Sequence, residues 1–121
     1  MWSEEHHLPH FVLECSENVL AAASAKEVLT VVYQVARESM LFNESDIKVR
    51  IRPFADFVNG PANSDFVHVF GYIMEGRTID QRNKLSRAIV TALKELLPDV
   101  PVISMNVINF EKATYNNRDS I

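Results

Sequence analysis

Along most of the chain, apolar residues recur at the two-residue spacing of strands or at the three-to-four-residue spacing of helices. Helix patterns follow Ser24 and Thr78, two residue types that cap helices, and end near Leu41 and before Pro98. Strand patterns cover residues 9–15, 47–52, 66–74 and 102–110, and the second of them is expected to stop at Pro53. The predicted order is therefore β-α-β, a loop over residues 54–65 with room for a short hairpin, and a second β-α-β.

The two β-α-β units, about residues 9–52 and 66–110, predict one α+β domain over residues 9–121. The crossover between the parallel strands of such a unit is almost always right-handed and places its helix on one face of the sheet. Two units side by side give a two-layer fold, a four-stranded mixed sheet with both helices on one face. The other face still carries apolar residues, so we expect other copies of the chain to cover it. Residues 1–8 lack this patterning and are interpreted as an N-terminal extension.

The composition, with 47% apolar and 23% charged residues, is typical of a soluble globular protein. A formal net charge of −4 repels phosphate backbones, which argues against nucleic-acid binding. No apolar segment approaches the roughly 20 residues that span a bilayer, so no membrane partner is expected. The single cysteine, Cys15, excludes an intramolecular disulfide and fits a reducing compartment, which predicts a cytoplasmic protein.

Three basic residues, Lys48, Arg50 and Arg52, alternate along the second predicted strand, so their side chains leave one face of it. This cluster is unexpected in an acidic chain, and it would hold the carboxylates of a polyacid and stabilise negative charge on a bound oxygen. The alternative is a solvated strand whose cations prevent edge pairing, above all at Arg52. Arg77, just before Thr78, lies either at an anion-binding helix N-terminus or in an ordinary surface turn.

Three blocks of sequence carry a family resemblance. PHFVLECS from residue 9 resembles the opening strand of the 5-carboxymethyl-2-hydroxymuconate isomerases of the tautomerase superfamily, and IKVR from residue 47 resembles their second strand. FVHV from residue 66, followed by GRT from residue 76, resembles their third strand and the start of their second helix. The resemblance implies tandem β-α-β units assembled as homotrimers. It also implies a cofactor-independent isomerase that transposes C=C bonds of a small anionic unsaturated carboxylate in aromatic-acid (homoprotocatechuate) breakdown.

The same resemblance assigns the site residues. Pro9 matches the catalytic proline and Arg50 matches the catalytic strand arginine best, whereas Lys48, Arg52 and Arg77 are the candidate substrate-binding cations. In the family this proline is the first residue of the mature protein, and its free secondary amine is the base. Here eight residues precede Pro9, and an internal proline has an amide nitrogen without basicity. No spacing of cysteines and histidines indicates a metal, and no cofactor is expected.

We expect the native enzyme to begin at Pro9, with residues 1–8 a start-site extension or a removable leader, because the family-like pattern begins abruptly there. Two other hypotheses about the function of the protein stay open. One is a catalytically silent trimeric relative that binds anionic ligands because Pro9 is not N-terminal. The other is a small ferredoxin-like ligand-sensing module. His10 and His68 lie on predicted strands and are interpreted as packed or hydrogen-bonded residues rather than bases.

Overall fold

The computed structural model describes residues 8–121. Its strands and helices, in chain order, are β1 (His10–Ser16), α1 (Val19–Ala22), α2 (Ala25–Glu38), β2 (Lys48–Phe54), β3 (Phe66–Met74), α3 (Ile79–Leu96) and β4 (Val102–Phe110). Short 3-10 turns occupy Glu44–Asp46, Lys112–Thr114 and Arg118–Ser120. The predicted β-α-β, loop, β-α-β order is confirmed, and the four-residue α1 is an addition that the pattern did not indicate.

Both long helices begin where the capping residues predict. The side chains of Ser24 and Thr78 accept hydrogen bonds from the backbone amides of Glu27 and Gln81, whose own side chains bond back to the cap amides. The end of α2 at Glu38 is earlier than the predicted Leu41. The hydroxyl of Ser39 donates to the carbonyl of Ala36, and Met40 takes a left-handed φ of 63°, which no helix residue can have.

The second strand does not stop at Pro53, as the sequence predicted, but continues to Phe54. The strand order is β2-β1-β3-β4, so β2 is an edge strand. Proline is tolerated there because only one side of the strand must be hydrogen-bonded. In the following loop, the amide of Ser64 bonds to the carbonyl of Asn59, closing a turn, and no strand is assigned within residues 55–65.

The sheet combines two parallel pairs, β1 with β2 and β3 with β4, which meet at the antiparallel pair β1–β3. Helices α2 and α3 pack against each other and against one face of this sheet. The buried side chains between the two layers include Phe11, Leu13, Val28, Val32, Val67, Val69, Leu85, Ile89 and Leu93. The predicted mixed sheet with two helices on one face is therefore confirmed.

The strand side chains that point away from the helices are half-buried or exposed, except for the buried Ser16 and Met74 at the strand ends, and we call this surface the open face. Three cross-strand rows follow from the register. The rows are Lys48–His10–Tyr72–Ile108, Arg50–Val12–Phe70–Asn106 and Arg52–Glu14–His68–Ser104. Within one protomer, no described residue forms a second layer over these rows. Among residues 8–121, no helix is long and apolar enough to cross a membrane.

Candidate active site

Pro9 lies directly before β1, at the end of the sheet where β2 begins and β3 ends. Its carbonyl oxygen accepts a hydrogen bond from the backbone amide of Lys48 at 3.2 Å. Pro9 is buried, and so is Leu8, which is 1% exposed although the sequence placed it in the extension. In the 121-residue chain the nitrogen of Pro9 is bonded to Leu8, so it is an amide and not a base. Residues 1–7, which include His6 and His7, lie outside the described part of the chain.

The side chains of Lys48, Arg50 and Arg52 leave the open face of β2, opposite His10, Val12 and Glu14 of β1 respectively. Two residues along a strand advance about 7 Å, so Lys48 is the cation closest to Pro9 along the sheet and Arg52 the most distant. All three side chains are exposed in the protomer.

The ammonium group of Lys48 donates to the backbone carbonyl of Asp46 at 2.8 Å. Partial burial lowers the pKa of Lys48, an effect that the nearby Asp46 carboxylate opposes. Lys48 is thus tied to the turn before β2, while its side chain is exposed on the open face.

His10 follows Pro9 and sits between Lys48 on one neighbouring strand and Tyr72 on the other. Its Nδ1 lies 3.4 Å from Nη1 of Arg50. The pKa of His10 is lowered, first by desolvation and then by the positive charges of Lys48 and Arg50. Both effects favour the neutral imidazole over the imidazolium.

An aromatic stack flanks this histidine. The Phe110 ring lies between the rings of Tyr72 and Tyr115, with centroid distances of 5.4 and 5.7 Å and tilts of no more than 30°. The His10 ring is 6.5 Å from Phe110. Two cations, an imidazole and an aromatic wall thus lie in or beside the row of the open face that follows Pro9 in β1, a combination suited to a planar, conjugated anion.

Arg77 is at the same end of the sheet but faces the helix layer. One guanidinium nitrogen donates to the carbonyl of Leu41 at 2.6 Å, and the group lies over the Phe42 ring at 5.2 Å. It lines a cleft of about 320 Å³ together with Met40, Leu41, Glu75, Gly76 and Gln81. Within one protomer, Arg77 is therefore not brought together with Lys48 and Arg50.

The far end of the open face has a different polar group. Nδ1 of His68 is 2.6 Å from the hydroxyl of Ser104, in the row that also contains Glu14 and Arg52. His68 is hydrogen-bonded, as the sequence predicted. Cys15 is fully buried, and burial raises the pKa of its thiol, so it packs in the core as a small apolar residue. In residues 8–121 there is no group of three or more potential metal ligands.

Sequence reasoning did not single out His10 or the aromatic stack. Alternation along β1 places His10 on the face of the sheet opposite to Phe11. Only the register between β1 and β2 shows that Lys48 and Arg50 are on the same face as His10. The sequence predicts no element after residue 110, and nothing in the spacing there indicates that Tyr115 folds back onto Phe110.

The protein has the tautomerase fold, because solved structures of that fold match its four-stranded mixed sheet and two helices over nearly the whole chain. A 5-carboxymethyl-2-hydroxymuconate isomerase from Deinococcus radiodurans R1 has a TM-score of 0.80 at 18% identity, covering 93% of this chain and 90% of that one. A fused 4-OT described as a wild type symmetric trimer gives 0.77 at 15% identity, with coverages of 93% and 94%. The macrophage migration inhibitory factor of Toxoplasma gondii gives 0.71 at 15% identity, with coverages of 92% and 97%.

The sequence identifies the family more narrowly than the fold does. The chain belongs to the 5-carboxymethyl-2-hydroxymuconate isomerase family, whose sequence model matches residues 9–120. The match begins at Pro9. No curated protein matches the chain. Family membership supports an isomerase or tautomerase in general.

Proposed function

We propose that the protein is a cofactor-independent isomerase that shifts a proton by keto–enol chemistry, with the amine of an N-terminal Pro9 as the base. The observation that carries the proposal is the position of Pro9, hydrogen-bonded through its backbone to Lys48 and next to the basic face of β2. The proposed substrate is an unsaturated di- or tricarboxylate with an enolisable carbonyl, such as 5-carboxymethyl-2-hydroxymuconate. The proposed setting is the breakdown of aromatic acids such as homoprotocatechuate in the cytoplasm.

The chemistry requires one group that both takes and returns a proton. An α-amino group has a pKa of about 7.7–8.0, and burial beside cations lowers it further. Such an amine removes the proton of a dienol hydroxyl, the electron pair moves through the conjugated system, and the ammonium returns the proton to a distant carbon. The C=C bond is transposed, no atom is lost or gained, and the free amine is regenerated.

The cations have separate tasks in this proposal. Arg50 stabilises the negative charge of the dienolate and Lys48 binds a substrate carboxylate, because Lys48 is in the row nearest Pro9 and Arg50 is in the next row. Arg52 is two strand positions further away and would reach only the remote end of a long polyacid. Arg77 remains a proposed substrate-binding residue on the family resemblance, with guanidinium donors beyond the one that Leu41 accepts.

We also propose that the protein is a homotrimer assembled through the open face. Helices cover only one face of the sheet, and Val12, Phe70, Tyr72 and Ile108 leave apolar surface on the other. The symmetric trimer of the fused 4-OT supports this arrangement through its similar fold.

A second candidate function rests on one observation. Leu8 is buried and bonded to Pro9, so the 121-residue chain holds no amine at the proposed site. The cations and the aromatic stack would still bind an anionic ligand. In this alternative the protein is a catalytically silent trimeric relative.

The test compares the 121-residue chain with a chain that begins at Pro9, each verified by intact mass, on 2-hydroxymuconate-type substrates. We expect activity only in the shorter chain, with a pH profile that rises through an amine pKa at or below about 8. The matched control, the shorter chain with Pro9→Ala, keeps an N-terminal amine but loses the rigid secondary amine, and we expect much lower activity. Equal activity of an intact 121-residue chain would refute Pro9 as the base. Anion binding by both chains without turnover would establish the silent relative.

A further inference from the structure

The hydrogen bond between Arg50 and His10 fixes where the proton of the imidazole is. A guanidinium has only donors and keeps its charge at any physiological pH, so Nδ1 of His10 must be the acceptor of the 3.4 Å contact. A neutral imidazole carries one N–H. That proton is therefore on Nε2, and His10 presents a donor rather than a lone pair at its other nitrogen.

The groups around His10 favour the neutral form of its ring. Lys48 and Arg50 face it from β2, and Tyr72 faces it from β3, with Phe110 of β4 behind. Glu14, on its own strand, is about 13 Å further along β1. Burial and the two cations all lower the pKa of His10. Within one protomer, no residue described in the structure is hydrogen-bonded to Nε2, and His10 lies in the end row of the open face next to Pro9 rather than in the middle row.

We propose that His10 is a catalytic residue that donates a hydrogen bond from Nε2 to the substrate's enol or carbonyl oxygen, stabilising the negative charge that develops there. This role of His10 rests on the proposed function, because the oxygen it contacts is the one that becomes negatively charged when the Pro9 amine shifts the proton. His10 is next to Pro9 in sequence and in the same cross-strand row as Lys48.

A neutral donor suits this reaction better than a third cation would. Donors already oriented toward a developing oxyanion, in a partly desolvated site, stabilise the transition state more than the ground state. His10 gives no proton away, so the proton balance of the Pro9 amine is unchanged. Arg50 still acts on the negative charge of the dienolate and Lys48 on a substrate carboxylate, so His10 adds a hydrogen bond to the enol oxygen without changing either assignment.

The first test needs no catalysis. The ¹⁵N chemical shifts of the His10 ring, measured by NMR in the 121-residue chain at pH 7, should show a neutral imidazole protonated on Nε2. In the Arg50→Ala variant the tautomer preference should weaken. An imidazolium at pH 7, or protonation on Nδ1, would overturn the proposal.

The second test uses the chain that begins at Pro9. We expect His10→Phe to lower kcat about a hundredfold, as the loss of one oxyanion donor does elsewhere. His10→Gln keeps a neutral N–H donor and should stay within about tenfold of the unchanged chain. The control His68→Gln alters a histidine at the far end of the open face and should change kcat less than His10→Gln does.

The outcomes separate the two proposals. If the unchanged chain turns over substrate and His10→Phe retains its kcat, the role of His10 is refuted and the proposed function stands. Equal losses in the Gln and Phe variants would also refute a role as hydrogen-bond donor. If the unchanged chain beginning at Pro9 has no isomerase activity, the proposed function fails, and the role of His10 fails with it.

Discussion

The backbone amide of Lys48 donates to the carbonyl oxygen of Pro9 at 3.2 Å, and this bond joins the start of β1 to the start of β2. The distance between the proposed base, Pro9, and the basic strand β2 is therefore set by main-chain hydrogen bonds. It does not depend on the side chains of β2. Replacing a cation on β2 should leave Pro9 in position. Kinetic effects of such variants then report on charge and hydrogen bonding rather than on a displaced base.

Arg50→Ala should impair catalysis far more than stability. Loss of a charge-assisted contact to the dienolate should cost about 2–4 kcal/mol in the transition state, a fall in kcat of at least thirtyfold. An exposed strand arginine should change the free energy of unfolding by no more than about 0.5 kcal/mol. Steady-state kinetics of the chain beginning at Pro9, together with urea unfolding, measure the two effects.

The matched variant is Arg52→Ala, on the same face and one row further from Pro9. We expect its loss of kcat to be less than a tenth of the loss in Arg50→Ala. If Arg50→Ala leaves the kinetics unchanged but lowers the melting temperature strongly, Arg50 stabilises the sheet and does not act in catalysis.

Leu8→Ala should destabilise the 121-residue chain. Leu8 is 1% exposed, and truncating a buried leucine typically costs about 2–5 kcal/mol, through lost apolar burial and the cavity left behind. Val58→Ala is the control, because Val58 is 92% exposed and its truncation should change the free energy of unfolding by less than about 0.5 kcal/mol. Urea unfolding at one protein concentration provides the measurement. Equal stability of the two variants would show that the residue before Pro9 contributes nothing to the fold.

Much of the fold could be predicted from the sequence because local signals coincide with tertiary ones. The capping residues Ser24 and Thr78 mark where the long helices begin, and the apolar run of residues 66–74 matches β3. The errors fall where tertiary context decides. Pro53 is compatible with a strand only because β2 lies at the sheet edge, and the left-handed φ of Met40 ends α2 at a residue type that usually continues helices.

The candidate site was only partly predictable. Alternation alone placed Lys48, Arg50 and Arg52 on one face. Which side chains of β1 lie beside these cations depends on how β1 and β2 are paired. The sequence does not show this pairing, so the contact between His10 and Arg50 could not be predicted. Arg77 was grouped with the other cations by motif, but its contacts to Leu41 and Phe42 direct it toward the helix layer.

Stability should decrease when the pH falls below about 6.5. In the folded chain the pKa values of His10 and His68 are lowered from 6.5, mainly by desolvation. At a pH between 6.5 and the folded pKa of each histidine, the unfolded chain therefore binds more protons than the folded chain. The contribution of these residues is complete above pH 6.5 and is lost as the pH falls toward their folded pKa values.

Urea unfolding at pH 7.5 and 5.5, at one protein concentration, measures this loss. The pH dependence should be weaker in the double variant His10→Gln/His68→Gln. Glu27, whose pKa is lowered by hydrogen bonds from Ser24, loses its contribution only below about pH 4.5, outside this window. An identical pH dependence of both proteins would contradict the assignment to the histidines.

Phe70→Asp should dissociate the proposed homotrimer. Phe70 lies in the middle row of the open face, half-buried against the rings of His68 and Tyr72. An assembly through this face would bury it completely, and an obligate interface of this kind typically buries more than about 2,000 Å². A carboxylate enclosed there without a partner costs far more than the same group in water, whereas Thr30→Asp on the exposed side of α2 costs little. Light scattering should give a trimer mass for the unchanged chain and for Thr30→Asp, and a monomer mass for Phe70→Asp. A stable folded monomer of the unchanged chain at micromolar concentration would refute the assembly, and a trimer that survives Phe70→Asp would place its interface elsewhere.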